Sequence, residues 1–238
     1  MNGIKKTKQF FSEWRQKRQH QRFYQQFINK GDLCFDVGAN MGSRTDTFSK
    51  LGAKVIAIEP TQNCCQVLRN KFGTNSNVSL LQMALGAQVG KGTLHLANYH
   101  EVSTLSTLFI EQYSHQEKHN ILWDKTVQVP ISTLDQLIKE YGLPQFCKID
   151  VEGYETEVLK GLSQPLPYLS FEYNNRLKEK ALECLEILSK FPNLSYNFSS
   201  YESMQLSLDP WKNQADFYQY LQNLSSNVLT GDVYVRWA

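Results

Sequence analysis

The chain has 238 residues, 41% of them hydrophobic and 12% aromatic, with a formal net charge of +2, enough to bury the core of a single α/β sheet with additions. It holds no run of about 18 apolar residues of the kind that spans a bilayer, and its start lacks the apolar centre of a secretory signal, so a cytoplasmic protein is expected. The five cysteines (34, 64, 65, 147 and 184) include no C-x-x-C pair and read as thiols of a reducing compartment, not a disulfide framework or a zinc site.

In chain order, residues 1–30 carry eight Lys or Arg against Glu13 alone, so this segment is +7 while the remainder is −5. Phe10, Phe11, Trp14, Phe23, Tyr24, Phe27 and Ile28 recur at near-helical spacing, which predicts amphipathic helix. Residues 1–29 are therefore expected to form a basic helical arm ahead of a main domain over residues 30–238. Such an arm suits weak contact with an anionic membrane surface, contact with nucleic acid, a lid, or a helix laying its rings on the domain. Its rings at Phe10, Trp14, Phe23 and Phe27 are placed to cover a ligand cleft.

Leu33 to Val37 is a short apolar strand, followed by a glycine turn through Gly42, a helix, and a second strand from Ala53 to Ile58 ending at Glu59-Pro60. Thr61 to Phe72 is a helix, Asn77 to Gln82 a third strand running into Met83-Ala84, and Gly90 to Leu96 a short hairpin. Residues 97–124 are polar and lack periodicity, as a lid or binding loop would, and are expected to select the ligand together with the arm. Thr126 to Ile131 is extended, and Ser132 to Asp135 cap a helix reaching Tyr141. Gln145 to Asp150 is the next strand, followed by Glu152-Gly153 and a helix to Gly161. Tyr168 to Tyr173 is extended and carries Glu172 near its end. Helices over Leu177 to Phe191 and Asn213 to Leu224, and extended segments at Leu194 to Ser200, Gln205 to Leu208 and Val233 to Trp237, complete the chain. Alternating strand and helix predict a mostly parallel sheet covered on both faces.

The first two strands and their helix make one βαβ unit. Gly38 precedes Glu59 by 21 residues, near the ~20 of nucleotide-binding units, and an acid at that strand tip suits a ribose diol. The dinucleotide fingerprint G-x-G-x-x-G is broken, because Asn40 stands in place of the second glycine and Asp36 precedes the turn. A side chain and a negative charge both oppose a pyrophosphate, which makes a nicotinamide-dependent oxidoreductase the weaker reading. S-adenosylmethionine, which has a ribose diol, an amino acid end and a sulfonium but no phosphate, suits the turn. Ligands of such sheets bind at the carboxyl ends of the strands. Those ends read Asp36, Glu59, Gln82-Met83-Ala84, Asp150 with Glu152, and Glu172. Lys148, inside a strand that should be buried, needs a carboxylate partner. An ion pair with Glu172 and a catalytic role are both open. A Mg²⁺ on Asp150, Glu172 and Asn174 is an alternative, and His115 and His119 lack a third ligand, so no metal is assigned.

Asp36-Val-Gly-Ala-Asn-Met-Gly42, Glu59-Pro60, Lys148-Ile-Asp-Val-Glu-Gly-Tyr-Glu155 and Val158-Leu-Lys-Gly161 together resemble the FkbM family of class I S-adenosylmethionine-dependent methyltransferases, over roughly residues 30–175. The resemblance implies a Rossmann-like, seven-stranded, mostly parallel sheet whose last strand is antiparallel. It implies O-methylation of a small-molecule or sugar hydroxyl. By the same resemblance Asp36, Gly38, Ala39, Asn40 and Gly42 would hold the methionine end of the cofactor, Glu59 the ribose, and Gln82, Met83 and Ala84 the adenine. Asp150 would sit nearest the methyl group as general base, with Glu152 or Glu172 as its alternative or orienting group. Nucleic-acid or other N-methylation is the alternative. It is disfavoured because Asp150-Val-Glu-Gly stands where amino-methylating enzymes carry an Asn/Asp-Pro-Pro-aromatic motif, so no nucleic acid partner is expected. A binding module that kept only the fold would not need the acidic strand tips.

Overall fold

A computed structural model of the chain describes residues 15–114, 120–201 and 203–237. Its first element is a helix over residues 15–24, α1. Then follow β1 (Leu33–Val37), α2 (Ser43–Lys50), β2 (Lys54–Ile58), α3 (Gln62–Phe72), β3 (Val78–Leu81), β4 (Ala84–Leu85) and β5 (Gly90–Leu96). A 3₁₀ turn at His100–Val102 leads to α4 (Thr107–Ser114), β6 (Lys125–Ser132), α5 (Leu134–Tyr141), β7 (Phe146–Ile149) and α6 (Glu155–Lys160). The chain ends with β8 (Tyr168–Asn174), a 3₁₀ turn at Asn175–Leu177, α7 (Lys178–Leu188), β9 (Leu194–Ser200), α8 (Gln214–Gln222) and β10 (Thr230–Trp237).

Seven strands form one sheet in the order β3-β2-β1-β7-β8-β10-β9, with β10 antiparallel to both of its neighbours and the others parallel. This is the class I methyltransferase arrangement, and its strand order reverses between β1 and β7, where a crevice opens at the carboxyl ends. The central strands are continuous apolar runs because both faces are covered. Phe35, Val37, Ile56, Ile149 and Phe171 pack with α5, α6 and α7 through Leu137, Leu159 and Leu185. On the other face Cys34, Val55, Phe146 and Tyr234 meet Phe23, Tyr24, Phe27 and Ile28, together with Phe48 of α2.

The aromatic stripe of the basic segment is therefore core. Phe27 stacks on Phe146 and on Tyr234 with ring centroids 5.5 Å apart in each case, and Tyr24 meets Phe48 edge-on at 4.9 Å. Four such side chains buried at about 1.5–3 kcal/mol each anchor the segment to the sheet. Phe23 and Phe27 thus lie away from the carboxyl-end crevice, whereas Phe10 and Trp14 lie outside the described residues, as do His115 and His119.

Three expectations are corrected. Gly90 to Leu96 is one strand, which pairs antiparallel with β6 across a long connection and, with β4, makes a second, three-stranded sheet. Residues 97–124 contain the 3₁₀ turn and α4, held by Trp123 Nε1 donating to Val102 O at 2.9 Å and by Asn98 bonding to Asn120 and Leu122. Gln205 to Leu208 forms no strand. Asn197 Oδ1 takes the Leu208 N–H instead, at 3.0 Å.

Candidate active site

The turn after β1 is left-handed at Gly38 (φ 83°), Asn40 (φ 50°) and Gly42 (φ 76°). Its glycines face the protein itself. A Cβ on Gly38 would overlap the Asp150 carbonyl, and one on Gly42 would lie 2.6 Å from Leu68 and Phe72. Missing side chains at 38 and 42 thus let the turn lie directly against the β7 tip and α3. Gly38 and Ala39 donate backbone N–H groups to Ile58 O, and Asn40 N donates to Glu59 Oε2 at 2.9 Å. Thr61 N donates to Glu59 Oε1 at 2.7 Å and the Thr61 hydroxyl also bonds this carboxylate, so both oxygens are fixed and capacity remains to accept from a diol. Burial pushes the Glu59 carboxyl up, against these hydrogen bonds.

Asp36 lies behind the turn, not in the cleft. It is 2% exposed and accepts from Thr45 Oγ1 at 2.5 Å. Burial raises its proton affinity, while the Thr45 bond and the nearby Lys148 and Arg44 lower it.

In front of the turn is a cleft of about 670 Å³ including its open mouth. Gly38, Asn40, Glu59, Met83, Ala84, Asp150 and Glu152 line it, together with Pro60, Thr61, Tyr154 and the segment His100, Glu101, Ser103, Thr104 and Leu105. Ala39, Gly42 and Gln82 do not, and Gln82 faces an adjoining cleft, where its side chain bonds Arg69 at 2.7 Å and Gln62 at 2.6 Å. Four acids and, among the described residues, no Lys or Arg line the main cleft. A dinucleotide's phosphates would meet only negative charge there, whereas a sulfonium cation and a ribose diol match the donor set.

The β7 tip supplies the acids. Lys148, 2% exposed, donates to Asp150 Oδ2 at 2.9 Å and to Asp232 Oδ1 of β10 at 3.2 Å. Its partners are thus Asp150 and Asp232, which corrects the pairing with Glu172. Both carboxylates raise the Lys148 pKa against burial, whereas burial outweighs Lys148 at Asp232 and pushes that carboxyl up. After Asp150 the chain turns through Glu152 (φ 55°) and Gly153 (φ 86°). Glu155, 4% exposed, props this turn by accepting from Val151 N at 3.0 Å and Gly153 N at 3.3 Å, and burial pushes its carboxyl up to about 7. From the other side Thr104, 1% exposed, donates to Glu152 O at 2.8 Å and accepts from Ser106 N at 2.9 Å.

Asp150, Glu152 and Glu172 are brought together, with one oxygen of each within 4.8 Å of the others. Burial, then their mutual repulsion, pushes Glu152 and Glu172 well above the usual carboxylate range. These hard oxygen donors could hold a divalent cation. Asn174, the third ligand of the alternative Mg²⁺ set, has its amide donating to Tyr113 Oη at 2.6 Å and its carbonyl accepting from Arg176 N at 3.1 Å. Beyond Asp150 lies a second cleft of about 460 Å³ including its open mouth, lined by Arg44, Lys148, Asp150, Glu172, Tyr201, Thr230, Gly231 and Asp232. Sequence reasoning missed Asp232, Thr104, His100 and Glu101. Asp232 could have been found as the only acid inside the apolar last strand. The others sit in a segment whose contacts are long-range.

Among the described residues no helix is long and apolar enough to cross a membrane. A curated relative, "Methyltransferase sdnD" of Sordaria araneosa, is 30% identical over 188 residues, covering 58% of this chain and 69% of the relative. Among solved structures, the chain is similar to an O-methyltransferase of Bacillus cereus in complex with SAH (11% identity, TM-score 0.47, covering 94% of this chain and 80% of that one). It is also similar to a precorrin-6y C5,15-methyltransferase of Geobacter metallireducens (11%, 0.47, 93% and 86%). The sequence profile of the methyltransferase FkbM domain matches residues 36–198, a span from the acid of the glycine turn through the β7 tip to β9. With a cleft fit for a sulfonium cofactor inside that span, the chain belongs to the FkbM family of S-adenosylmethionine-dependent methyltransferases.

Proposed function

We propose that the protein methylates a hydroxyl oxygen of a small molecule or sugar, with Asp150 accepting the hydroxyl proton. One observation carries this reading: Asp150 is the residue that lines both the cofactor cleft and the second cleft. S-adenosylmethionine, when bound, supplies the electrophilic methyl group. Glu59 would hold its ribose, and Met83 with Ala84 would present an apolar wall to its base. The acceptor enters by the second cleft and presents its hydroxyl to Asp150. Lys148 holds Asp150 by Oδ2 alone, which leaves Oδ1 for the incoming proton. Glu152 and Glu172, whose proton affinity burial and repulsion raise, stand beside it. Much of the acceleration in such a displacement comes from alignment, worth on the order of 7–11 kcal/mol.

Asp150→Asn keeps the size of the side chain and removes the base. Turnover of a hydroxyl acceptor, followed by transfer of labelled methyl, should fall roughly 10²–10⁴-fold, with affinity for S-adenosylhomocysteine within about threefold of wild type. Undiminished turnover would remove Asp150 from the mechanism, and transfer to amines but not to hydroxyls would replace the acceptor class.

A further inference from the structure

Adenine carries an exocyclic amino donor beside a ring-nitrogen acceptor, so a protein that selects it sets an acceptor next to a donor at the base end of its cleft. That end can be located. Glu59, the ribose acceptor, is followed directly by Pro60 and Thr61, and these two, with His100 and Ser103, are shared by the cofactor cleft and the adjoining one. Asp150 lines the cofactor cleft but not this adjoining cleft. Most polar groups at the base end are already engaged. Gln82 bonds Arg69 and Gln62, and Ser103 Oγ accepts from Ala97 N at 3.1 Å. Met83 and Ala84 offer no polar side chain.

Of the residues that line the cofactor cleft itself, His100 and Glu101 stand beside this end with unsatisfied side-chain atoms. Nδ1 of His100 is enclosed and has no hydrogen-bond partner among the described residues. A proton on Nδ1 would be a stranded buried donor, so the proton belongs on Nε2, which then donates. Glu101 Oε1 lies 3.6 Å from Nε2, too far for a hydrogen bond between them. A donor and an acceptor thus stand side by side with neither satisfying the other, and both residues line the cleft. We propose that His100 and Glu101 read the adenine base of the cofactor, His100 Nε2 donating to ring nitrogen N1, which in hypoxanthine carries a proton and cannot accept, and Glu101 accepting from the 6-amino group.

The test uses S-adenosylhomocysteine and its hypoxanthine counterpart, S-inosylhomocysteine, in which a 6-oxo group replaces the amine. Calorimetry should show wild type preferring the adenine ligand by tenfold or more. His100→Ala and Glu101→Leu should each weaken S-adenosylhomocysteine binding by about tenfold, one hydrogen bond's worth, and leave S-inosylhomocysteine nearly unchanged, so the preference collapses. His100→Gln, which can restore a donor, should recover most of it. Thermal midpoints within a few degrees of wild type confirm folding. An unchanged affinity in His100→Ala, or an equal loss for both ligands, would overturn the proposal. Failure of wild type to bind S-adenosylhomocysteine at all would overturn the cofactor assignment and this inference with it.

Discussion

Replacing Lys148 by Met tests the central polar assembly. Lys148 is nearly enclosed and neutralises Asp232, whose side chain is 10% exposed, and Asp150, whose side chain is 37% exposed. In the sheet register Asp36 sits directly beside it on β1. Without Lys148, Asp232 stays buried near Asp150, with Arg44 the remaining cation that acts on it. Removing one partner of a buried pair costs about 3–5 kcal/mol, a large part of the 5–15 kcal/mol that holds a typical domain. Two features soften the loss: Asp150 can turn to water, and burial already favours a proton on Asp232. A loss near the lower end is therefore expected by urea unfolding at pH 7. Asp232→Leu in the same background should recover part of it, giving a coupling of roughly 1–3 kcal/mol in the double-mutant cycle. Freed from Lys148, Asp150 loses its fixed orientation, and a misplacement of about 1 Å lowers turnover roughly 10²-fold. A Lys148→Met protein within 1 kcal/mol of wild type, or a strictly additive cycle, would refute the reasoning.

Glu59→Gln should weaken S-adenosylhomocysteine by about 1.5–3 kcal/mol in calorimetry, since the charged acceptor is lost and an amide N–H comes to face one of the backbone donors from Asn40 and Thr61. Glu155, with a folded pKa near 7 against an ordinary 4.5, contributes stability that is present below pH 4.5 and lost as pH rises through 7. Glu155→Gln keeps an oxygen for Val151 and Gly153, so unfolding free energies measured from pH 4.5 to 8 should show wild type losing about 3 kcal/mol relative to the variant. A constant difference would contradict that. Thr104→Val strands the Glu152 carbonyl and the Ser106 N–H, at about 1–3 kcal/mol each, and Thr104→Ser should restore the stability in the same denaturation assay.

The order of strands and helices was legible because most central strands are largely apolar and end in a polar tip, and several helices have a capping residue or a glycine stop. Thr133 accepts from Gln136 N and Asn213 from Asp216 N, which places the starts of α5 and α8 within a residue or so of expectation. The 97–124 segment was not legible, because its order comes from outside itself. Phe109, 1% exposed, packs on Gly153, where an added Cβ would lie 3.1 Å from it, and Tyr113 bonds Asn174. No local period reports such contacts. The aromatic rings at 23, 24 and 27 were visible as a helical stripe, but a stripe cannot say which surface it covers. The matching rings, Phe48, Phe146 and Tyr234, are spread over nearly two hundred residues.

For the site, residue types were legible and partners were not. A lysine in a buried strand announces that carboxylates must surround it, but only the sheet order shows which. Asp232 lies opposite Glu172 in the β8–β10 register and reaches Lys148 on β7 from across the intervening strand β8. That assignment divides the acids into two kinds. Asp150 and Asp232 balance one cation, while Glu152 and Glu172 face each other and Asp150 with no cation bonded to either among the described residues. A fold needing only stability would have no use for the second kind, since unpaired acids in partial burial repel and destabilise. Under the proposed function, Glu152, on a left-handed turn braced by Thr104 and Glu155, and Glu172, on β8, flank Asp150 from the main cleft and from the second cleft, as groups kept for an acceptor's proton would.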